Sequence, residues 1–187
     1  MSDFYRAPAP QGEARREDAP LILSALMEPR AQARFEALRR AHFPPELNLV
    51  PAHLTVFHAL PGAWLADIEH HLSERCWQLD PMPAEIAGLR FTGHGVAAAI
   101  DCPGLVSLQA ELAAAWREAL TPQDRQRFTP HVTIQNKVSP ERARRTHDAL
   151  SAVIAPSAFS IDGLSLWRYR GGPWEALAEF SFGAGPR

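Results

Sequence analysis

The same four-residue pattern occurs twice in this sequence, once in each half. "HLTV" (53–56) and "HVTI" (131–134) both consist of a histidine, an apolar residue, a threonine and an apolar residue. Both copies lie in stretches rich in the apolar and β-branched residues that favour strands. Because alternate residues of a strand share a face, the histidine and threonine of each copy are expected to point one way and the two apolar residues the other. A strand pattern repeated at matching places predicts two similar lobes.

The elements around the two copies follow nearly the same order. Apolar runs and helical spacing predict strand, helix, strand, helix and two strands, and then helix, strand, helix and two strands. The helix that opens the second half is predicted over residues 104–120, and Ser139 before Pro140 predicts the start of the next helix. This alternation favours an α+β fold built from two similar lobes.

The length of 187 residues allows one large domain or two small lobes that share a core. Residues 1–19 are rich in proline, alanine and charge, which predicts a flexible N-terminal tail before a single domain over residues 20–187. This N-terminus has no apolar core, so it does not resemble a secretory signal. No apolar run approaches the roughly 20 residues that span a bilayer, so no membrane partner is expected.

The charge and the cysteines limit the function classes. A formal net charge of −2 argues against a protein that coats nucleic acid non-specifically. Residues 117–145 nevertheless carry seven Lys or Arg against three acids, which suits either a solvated helix face or a surface that attracts phosphate. Cys76 and Cys102 have no metal-like spacing, and we expect reduced thiols in a cytoplasmic protein.

Two histidines that face each other across a cleft between the lobes could perform acid–base catalysis. His53 or His131 could take a proton from an attacking oxygen while the other gives one to a leaving oxygen, because the ordinary imidazole pKa of about 6.5 lies near operating pH. The hydroxyls of Thr55 and Thr133 could donate hydrogen bonds to oxygens held between the rings. Such a set suits a phosphodiester and requires no metal ion.

The pair "HLTV" and "HVTI" resembles the paired motifs of the 2H phosphoesterase superfamily, which includes the bacterial RNA 2',3'-cyclic phosphodiesterases, also called 2'-5' RNA ligases. The resemblance extends over residues 21–182. It implies a bilobal 2H phosphoesterase-like fold, in which two pseudo-repeated lobes with antiparallel sheets line a central cleft. It also implies metal-independent hydrolysis of 2',3'-cyclic phosphates or 2'-5' linkages without a cofactor, catalysis by His53 and His131, and phosphate binding by Thr55 and Thr133.

Two basic residues are further candidates for binding the substrate phosphate. Many members of the superfamily carry an arginine shortly after the second motif; here the stretch is "QNKV", and Lys137 is the candidate in its place. Arg168 shares a strand face with Arg170 and could neutralise phosphate or simply end an amphipathic strand. His58 is expected on the strand face opposite His53, in a structural role.

Two functions remain open on this fold. The first is an enzyme, expected to be a monomer, that acts on a cyclic phosphate or 2'-5' bond of an RNA end or a nucleotide. The second is a non-catalytic module that binds a phosphate or an RNA end. Two intact motifs favour the enzyme, because binding alone does not need two proton-transfer groups. A nucleobase could stack on Phe57, Phe91 or Trp167, although core packing is the favoured interpretation. The sequence does not show which motif histidine is the catalytic acid and which is the catalytic base.

Overall fold

The computed structural model describes residues 18–183, which form seven strands and four helices. The strands are β1 (Leu21–Met27), β2 (Leu54–Leu60), β3 (Met82–Phe91), β4 (Val96–Asp101), β5 (His131–Gln135), β6 (Ser157–Arg168) and β7 (Glu175–Ser181). The helices are α1 (Pro29–His42), α2 (Leu65–Cys76), α3 (Pro103–Ala115) and α4 (Pro140–Ser151). This order confirms the predicted alternation of elements. Most of the predicted N-terminal tail, residues 1–17, lies outside the described residues.

All seven strands belong to one antiparallel sheet in the order β2-β1-β6-β3-β4-β5, with β7 also paired to β6. The long strand β6 joins the two lobes, because it pairs with β1 on one edge and, on the other edge, first with β3 and then with β7. Gly163 lies just after this change of partner, where a Cβ atom would come within 2.4 Å of the Phe180 carbonyl oxygen. The predicted bilobal α+β architecture is confirmed, and the two lobes share a single sheet through β6.

The strands that carry the two motifs, β2 and β5, are the two ends of this strand order, yet their Cα atoms approach within 8 Å of each other. The sheet therefore curves so that its two edge strands come near each other, although they do not pair. Leu54 and Val56 in β2 and Val132 and Ile134 in β5 are at most 2% exposed. These buried positions confirm that the apolar residues of both motifs face the core, and each side chain contributes about 1.5–3 kcal/mol by its burial. His53 itself lies one residue before the start of β2.

Arg39 on α1 links the two motif strands. It is only 2% exposed. Its Nη1 donates to the carbonyl oxygen of Thr133 at 2.9 Å, and its Nε and Nη2 donate to Oδ1 of Asn48, in the segment before β2, at 3.2 and 2.9 Å. Burial lowers the pKa of Arg39, and a buried guanidinium is costly unless its donors are used. The network therefore holds β5 against the chain that leads into β2.

The helix α3 ends at Ala115, so the prediction that it continues to residue 120 is wrong. Trp116 is nearly buried and packs edge-on against two rings, with 5.5 Å between its centroid and that of Phe57 and 5.4 Å to that of His71. This tertiary packing outweighs the helical propensity of the following residues. The chain instead forms a loop over residues 116–130 that leads into β5.

The α4 helix begins as predicted, with the Ser139 side chain accepting a hydrogen bond from the Arg142 N–H at 3.3 Å. Cys76 and Cys102 are both buried free thiols, and burial raises the pKa of Cys76 to about 12. Within residues 18–183, no helix combines the length and the apolarity needed to cross a membrane.

Candidate active site

The two motif histidines make the same hydrogen bond. His53 Nδ1 lies 2.7 Å from the carbonyl oxygen of Pro51, and His131 Nδ1 lies 2.9 Å from that of Thr129, in each case two residues earlier in the chain. A carbonyl can only accept, so Nδ1 carries the hydrogen in both rings and Nε2 is left as the second, basic nitrogen. The sequence repeat therefore extends to the tautomer and the orientation of the two imidazoles.

Burial favours the neutral form of both motif imidazoles in the free protein. Burial is the largest cause and lowers the pKa of His53 to about 4; the backbone carbonyl opposes this shift, and the charges of Arg39 and two neighbouring histidines add to it. Burial likewise lowers the pKa of His131, with a further contribution from Arg90. A bound phosphate would raise both pKa values, because a nearby negative charge favours the imidazolium.

One cavity brings residues of both motifs together. It has a volume of about 300 Å³ and is lined by Thr55 of the first motif and His131 of the second. His58, Arg90 and Arg127 also line it. A catalytic candidate ring, a hydroxyl and two guanidinium groups thus converge on a space that has room for a phosphate group and the sugar that carries it.

A second, smaller cavity of about 160 Å³ adjoins the first. It shares Thr55 and His58 with the larger cavity and is closed on another side by Trp174. The Trp174 ring packs on His53, with 4.4 Å between the ring centroids. We call the space formed by these two adjoining cavities the cleft. His53 lines neither cavity, and its ring packs on Trp174, which borders the cleft.

Thr133 lines neither cavity of the cleft but lies on the same sheet face as His131. It pairs with Ala97 of β4, which pairs in turn with Arg90 of β3. Residues directly opposite each other on neighbouring strands project from the same face of a sheet. The side chains of Thr133, His131 and Arg90 therefore share the face that borders the cleft.

The two basic residues predicted to bind phosphate do not line the cleft. Arg168 lies 4.0 Å from the Glu175 carboxylate, its side chain is 12% exposed, and its buried Nε has no hydrogen-bond partner among the described residues. Lys137 is exposed just beyond β5, at a φ of 58°. Arg90 and Arg127 are cationic residues that do line the cleft. Arg127 belongs to the basic stretch over residues 117–145, whereas no motif or pattern in the sequence marks Arg90.

His58 lies in the cleft, and the prediction that it points away from the motif face of β2 is wrong. The pairing of β2 with β1 shifts register directly after Thr55, which gives β2 one extra residue, as in a β-bulge. As a result, the successive residues Val56 and Phe57 are both buried. The residue that follows them, His58, therefore faces the opposite way from what simple alternation predicts. Thr55 and His58 are three residues apart, yet they line the same two cavities.

None of the three aromatic residues considered for base stacking lines the cleft. Phe57 is fully buried, as favoured. Phe91 is covered by the Arg144 guanidinium, 4.0 Å from its ring centroid, and Trp167 donates its indole N–H to a serine hydroxyl of β1. The indole at the cleft is Trp174, which follows the "RGGP" turn and offered no periodic signal that would have selected it.

The family assignment follows from the sequence as a whole. A profile of the 2'-5' RNA ligase superfamily matches residues 27–173, which is most of the chain and includes both motifs. The protein belongs to this superfamily, and its resemblance to the 2H phosphoesterases is confirmed. No curated protein sequence gives a significant match to the chain.

Solved structures show the same fold. TT0787 of Thermus thermophilus matches with a TM-score of 0.62 and 18% identity, over 88% of this chain and 98% of that one. E. coli LigT in complex with 3'-AMP matches with a TM-score of 0.60 and 18% identity, over 89% and 99% of the two chains. A structure described as a phosphoesterase matches with a TM-score of 0.56 and 19% identity, over 88% and 98%. At these identities the likeness concerns the fold, while membership of the superfamily supports an enzyme of the 2H phosphoesterase type.

Proposed function

We propose that this protein is a metal-independent phosphodiesterase that acts on 2',3'-cyclic phosphates or 2'-5' linkages of RNA ends or nucleotides. The matched carbonyl hydrogen bond of His53 and His131 carries the proposal, because it leaves both Nε2 atoms available for proton transfer. Thr55 and Thr133 supply hydroxyls to the phosphate oxygens. E. coli LigT has been crystallised with 3'-AMP, NADP+ and ATP, which supports a nucleotide as the ligand class.

The reaction needs one neutral and one protonated ring. The neutral imidazole takes a proton from a water molecule as its oxygen attacks phosphorus. The bond from phosphorus to the opposite ribose oxygen breaks, and the imidazolium gives its proton to that oxygen, which leaves a phosphomonoester and a free hydroxyl. We assign the base to His53, because its pKa of about 4 keeps this ring unprotonated over a wide pH range. His131 is then the acid, protonated when the phosphate binds.

In this proposal, side chains around the cleft stabilise the charge that develops on the phosphoryl oxygens. Thr55 can donate a hydroxyl hydrogen bond, and Arg90 and Arg127 line the same cavity as His131. Guanidinium groups suit this task because their paired N–H donors match phosphate oxygens. Within residues 18–183, no group of three or more His, Cys, Asp or Glu residues is placed to hold a metal ion.

The proposal is tested by incubating the protein with nucleoside 2',3'-cyclic phosphates in EDTA and following the products by phosphorus NMR, which also separates 2'- from 3'-phosphates. We expect conversion to a monophosphate. His53→Ala and His131→Ala should each lower the rate by about 10²–10⁴ while keeping the circular dichroism spectrum of the wild type. His70→Ala is the matched control, because this α2 side chain is 74% exposed.

Three outcomes would contradict the proposal. Binding of a nucleoside monophosphate without turnover of any cyclic phosphate or 2'-5' dinucleotide would support the non-catalytic binding module instead. Near-normal turnover in either motif variant would show that the histidine pair is structural. A rate that is lost in EDTA and restored by a divalent ion would indicate metal-dependent chemistry.

A further inference from the structure

A histidine outside the two motifs lines the cleft. His58 shares both cavities with Thr55, and the larger one also with His131. Its side chain is 37% exposed, so part of the ring is open to a ligand. The two-histidine mechanism assigns no task to this ring.

Asp124, in the loop between α3 and β5, fixes the orientation of His58. One carboxylate oxygen accepts the backbone N–H of His58 at 2.8 Å and lies 3.0 Å from its Nδ1. The other oxygen accepts the N–H of Ala59 at 3.1 Å and the hydroxyl of Thr121 at 3.0 Å. An ionised carboxylate only accepts, so Nδ1 carries a hydrogen and Nε2 is the ring nitrogen left for the cleft.

The anchor that holds His58 is a buried carboxylate, because the side chain of Asp124 is 1% exposed. Burial opposes ionisation, but the hydrogen bonds from His58 and Ala59 outweigh it and hold the pKa of Asp124 below its usual range. A buried carboxylate with all its partners in place is rigid, since losing any of them would be costly. His58 is therefore presented to the cleft in one orientation, as a preorganised binding group requires.

Asp124 has hydrogen-bond donors besides the His58 ring. Two backbone N–H groups and the Thr121 hydroxyl already provide both oxygens of Asp124 with donors. Besides His58 and Asp124, the charged or ionisable groups that line the larger cavity are Arg90, Arg127 and His131. These three groups and His58 can all carry positive charge, and such a set attracts an anion.

We propose that His58, oriented by Asp124, is a third substrate-binding histidine whose Nε2 donates a hydrogen bond to a non-bridging oxygen of the substrate phosphate. The inference rests on the proposed function, because it places that phosphate between the two motif histidines. Because Nδ1 already carries a hydrogen, Nε2 donates only when the ring carries a second proton, and such a charge-assisted hydrogen bond is shorter and stronger than a neutral one. Asp124 does not touch the substrate in this arrangement and acts as a positioning residue.

Two variants separate the tasks of the two ring nitrogens of His58. In His58→Asn the amide nitrogen can replace Nδ1 and keep the bond to Asp124, but no atom reaches the Nε2 position. In His58→Gln the amide extends toward the Nε2 position and can still donate. We expect the dissociation constant of inorganic phosphate, measured by calorimetry, and the KM for a 2',3'-cyclic nucleotide to rise about 10- to 100-fold in His58→Asn. The kcat should change less, and His58→Gln should recover part of the loss.

A variant of Asp124 and an NMR titration of the wild-type protein provide two further measurements. Asp124→Asn should also raise KM. Its effect should not add to that of His58→Asn in the double variant, because both substitutions act through one ring. In the wild-type protein, the nitrogen NMR resonance of His58 Nε2 should move when inorganic phosphate is added.

The outcomes distinguish this inference from the proposed function. Unchanged phosphate affinity and KM in a folded His58→Asn variant, or an unmoved Nε2 resonance at saturating phosphate, would overturn the inference, while cyclic phosphate turnover would leave the proposed function standing. Phosphate affinity that depends on His58, in a protein that turns over no cyclic phosphate or 2'-5' bond, would overturn the proposed function and support the inference. A wild-type protein that binds no phosphate would overturn the inference as well.

Discussion

Removing the Trp174 ring should raise the pKa of His53. The indole packs on the imidazole with 4.4 Å between the centroids, and burial is the largest reason why the pKa of His53 lies at about 4. In Trp174→Ala, water reaches this face of the imidazole and solvates the protonated form. Trp174→Phe is the matched control, because it keeps an aromatic ring over His53.

The pKa of His53 can rise at most from about 4 to the ordinary value of 6.5. Trp174 covers one face of His53, and the positive charge of Arg39 remains. We therefore expect a rise of about one pKa unit, which is about 1.4 kcal/mol between the two protonation states. Below pH 6.5 the unfolded chain protonates this histidine before the folded protein does, so His53 subtracts stability as the pH falls toward 4. Trp174→Ala should reduce that loss.

The assay is a pH titration of the imidazole carbon–proton NMR resonances in the free protein, with His53 assigned by comparison with His53→Gln. The reasoning is refuted if the pKa of His53 does not rise in Trp174→Ala, or if it rises equally in Trp174→Phe. A wild-type His53 that titrates near its ordinary value would refute the burial argument itself.

Three further predictions test the fold and the chemistry. Arg39→Met should lower the free energy of unfolding in urea by about 3 kcal/mol, because a buried carbonyl of β5 and the Asn48 side chain lose their donor; the exposed Arg40→Met is the control, and equal losses would contradict the network. Gly163→Ala should lower the melting temperature, since its Cβ would lie 2.4 Å from a backbone oxygen, whereas Gly172→Ala meets no atom within 4 Å; matching melting temperatures would disprove the close approach. The pH optimum of kcat should lie above that of kcat/KM, with or without EDTA, because bound phosphate raises both imidazole pKa values; coincident optima in pH–rate profiles would count against phosphate between the rings.

The order of the elements, and the burial of the apolar residues in both motifs, could be predicted because they depend on local sequence. The strand β1 was expected and found at residues 21–27, since its apolar run is short and is followed directly by helical spacing. The alternation at both motifs is likewise a property of four successive residues. The end of α3 could not be predicted in this way, because it is decided by the packing of Trp116 on Phe57 and His71, which come from other elements.

The composition of the cleft depended on contacts that are distant in sequence. Arg90 reaches it from β3, Asp124 acts on it from the loop before β5, and Trp174 covers it from the turn before β7. None of these positions follows a motif, and each requires the sheet order that β6 establishes by pairing with both lobes. Lys137 was selected because it is close to the second motif in sequence, yet it lies beyond the end of β5 and outside the cleft.

The register shift that turns His58 into the cleft recurs in the second motif. In β5 it also comes directly after the motif threonine, Thr133, and in both copies the two residues after the threonine are buried. The repeat therefore provides the same local register shift in both motif strands, while the next residue differs: His58 in the first copy and Asn136 in the second. The first is an ionisable ring that is anchored by Asp124 and lines the cleft, and the second is a neutral amide that lines neither cavity and accepts the Lys137 N–H. An approximately symmetric frame with unequal side chains is what a site needs to favour one orientation of a phosphodiester over the reverse, because the two orientations then differ in binding free energy.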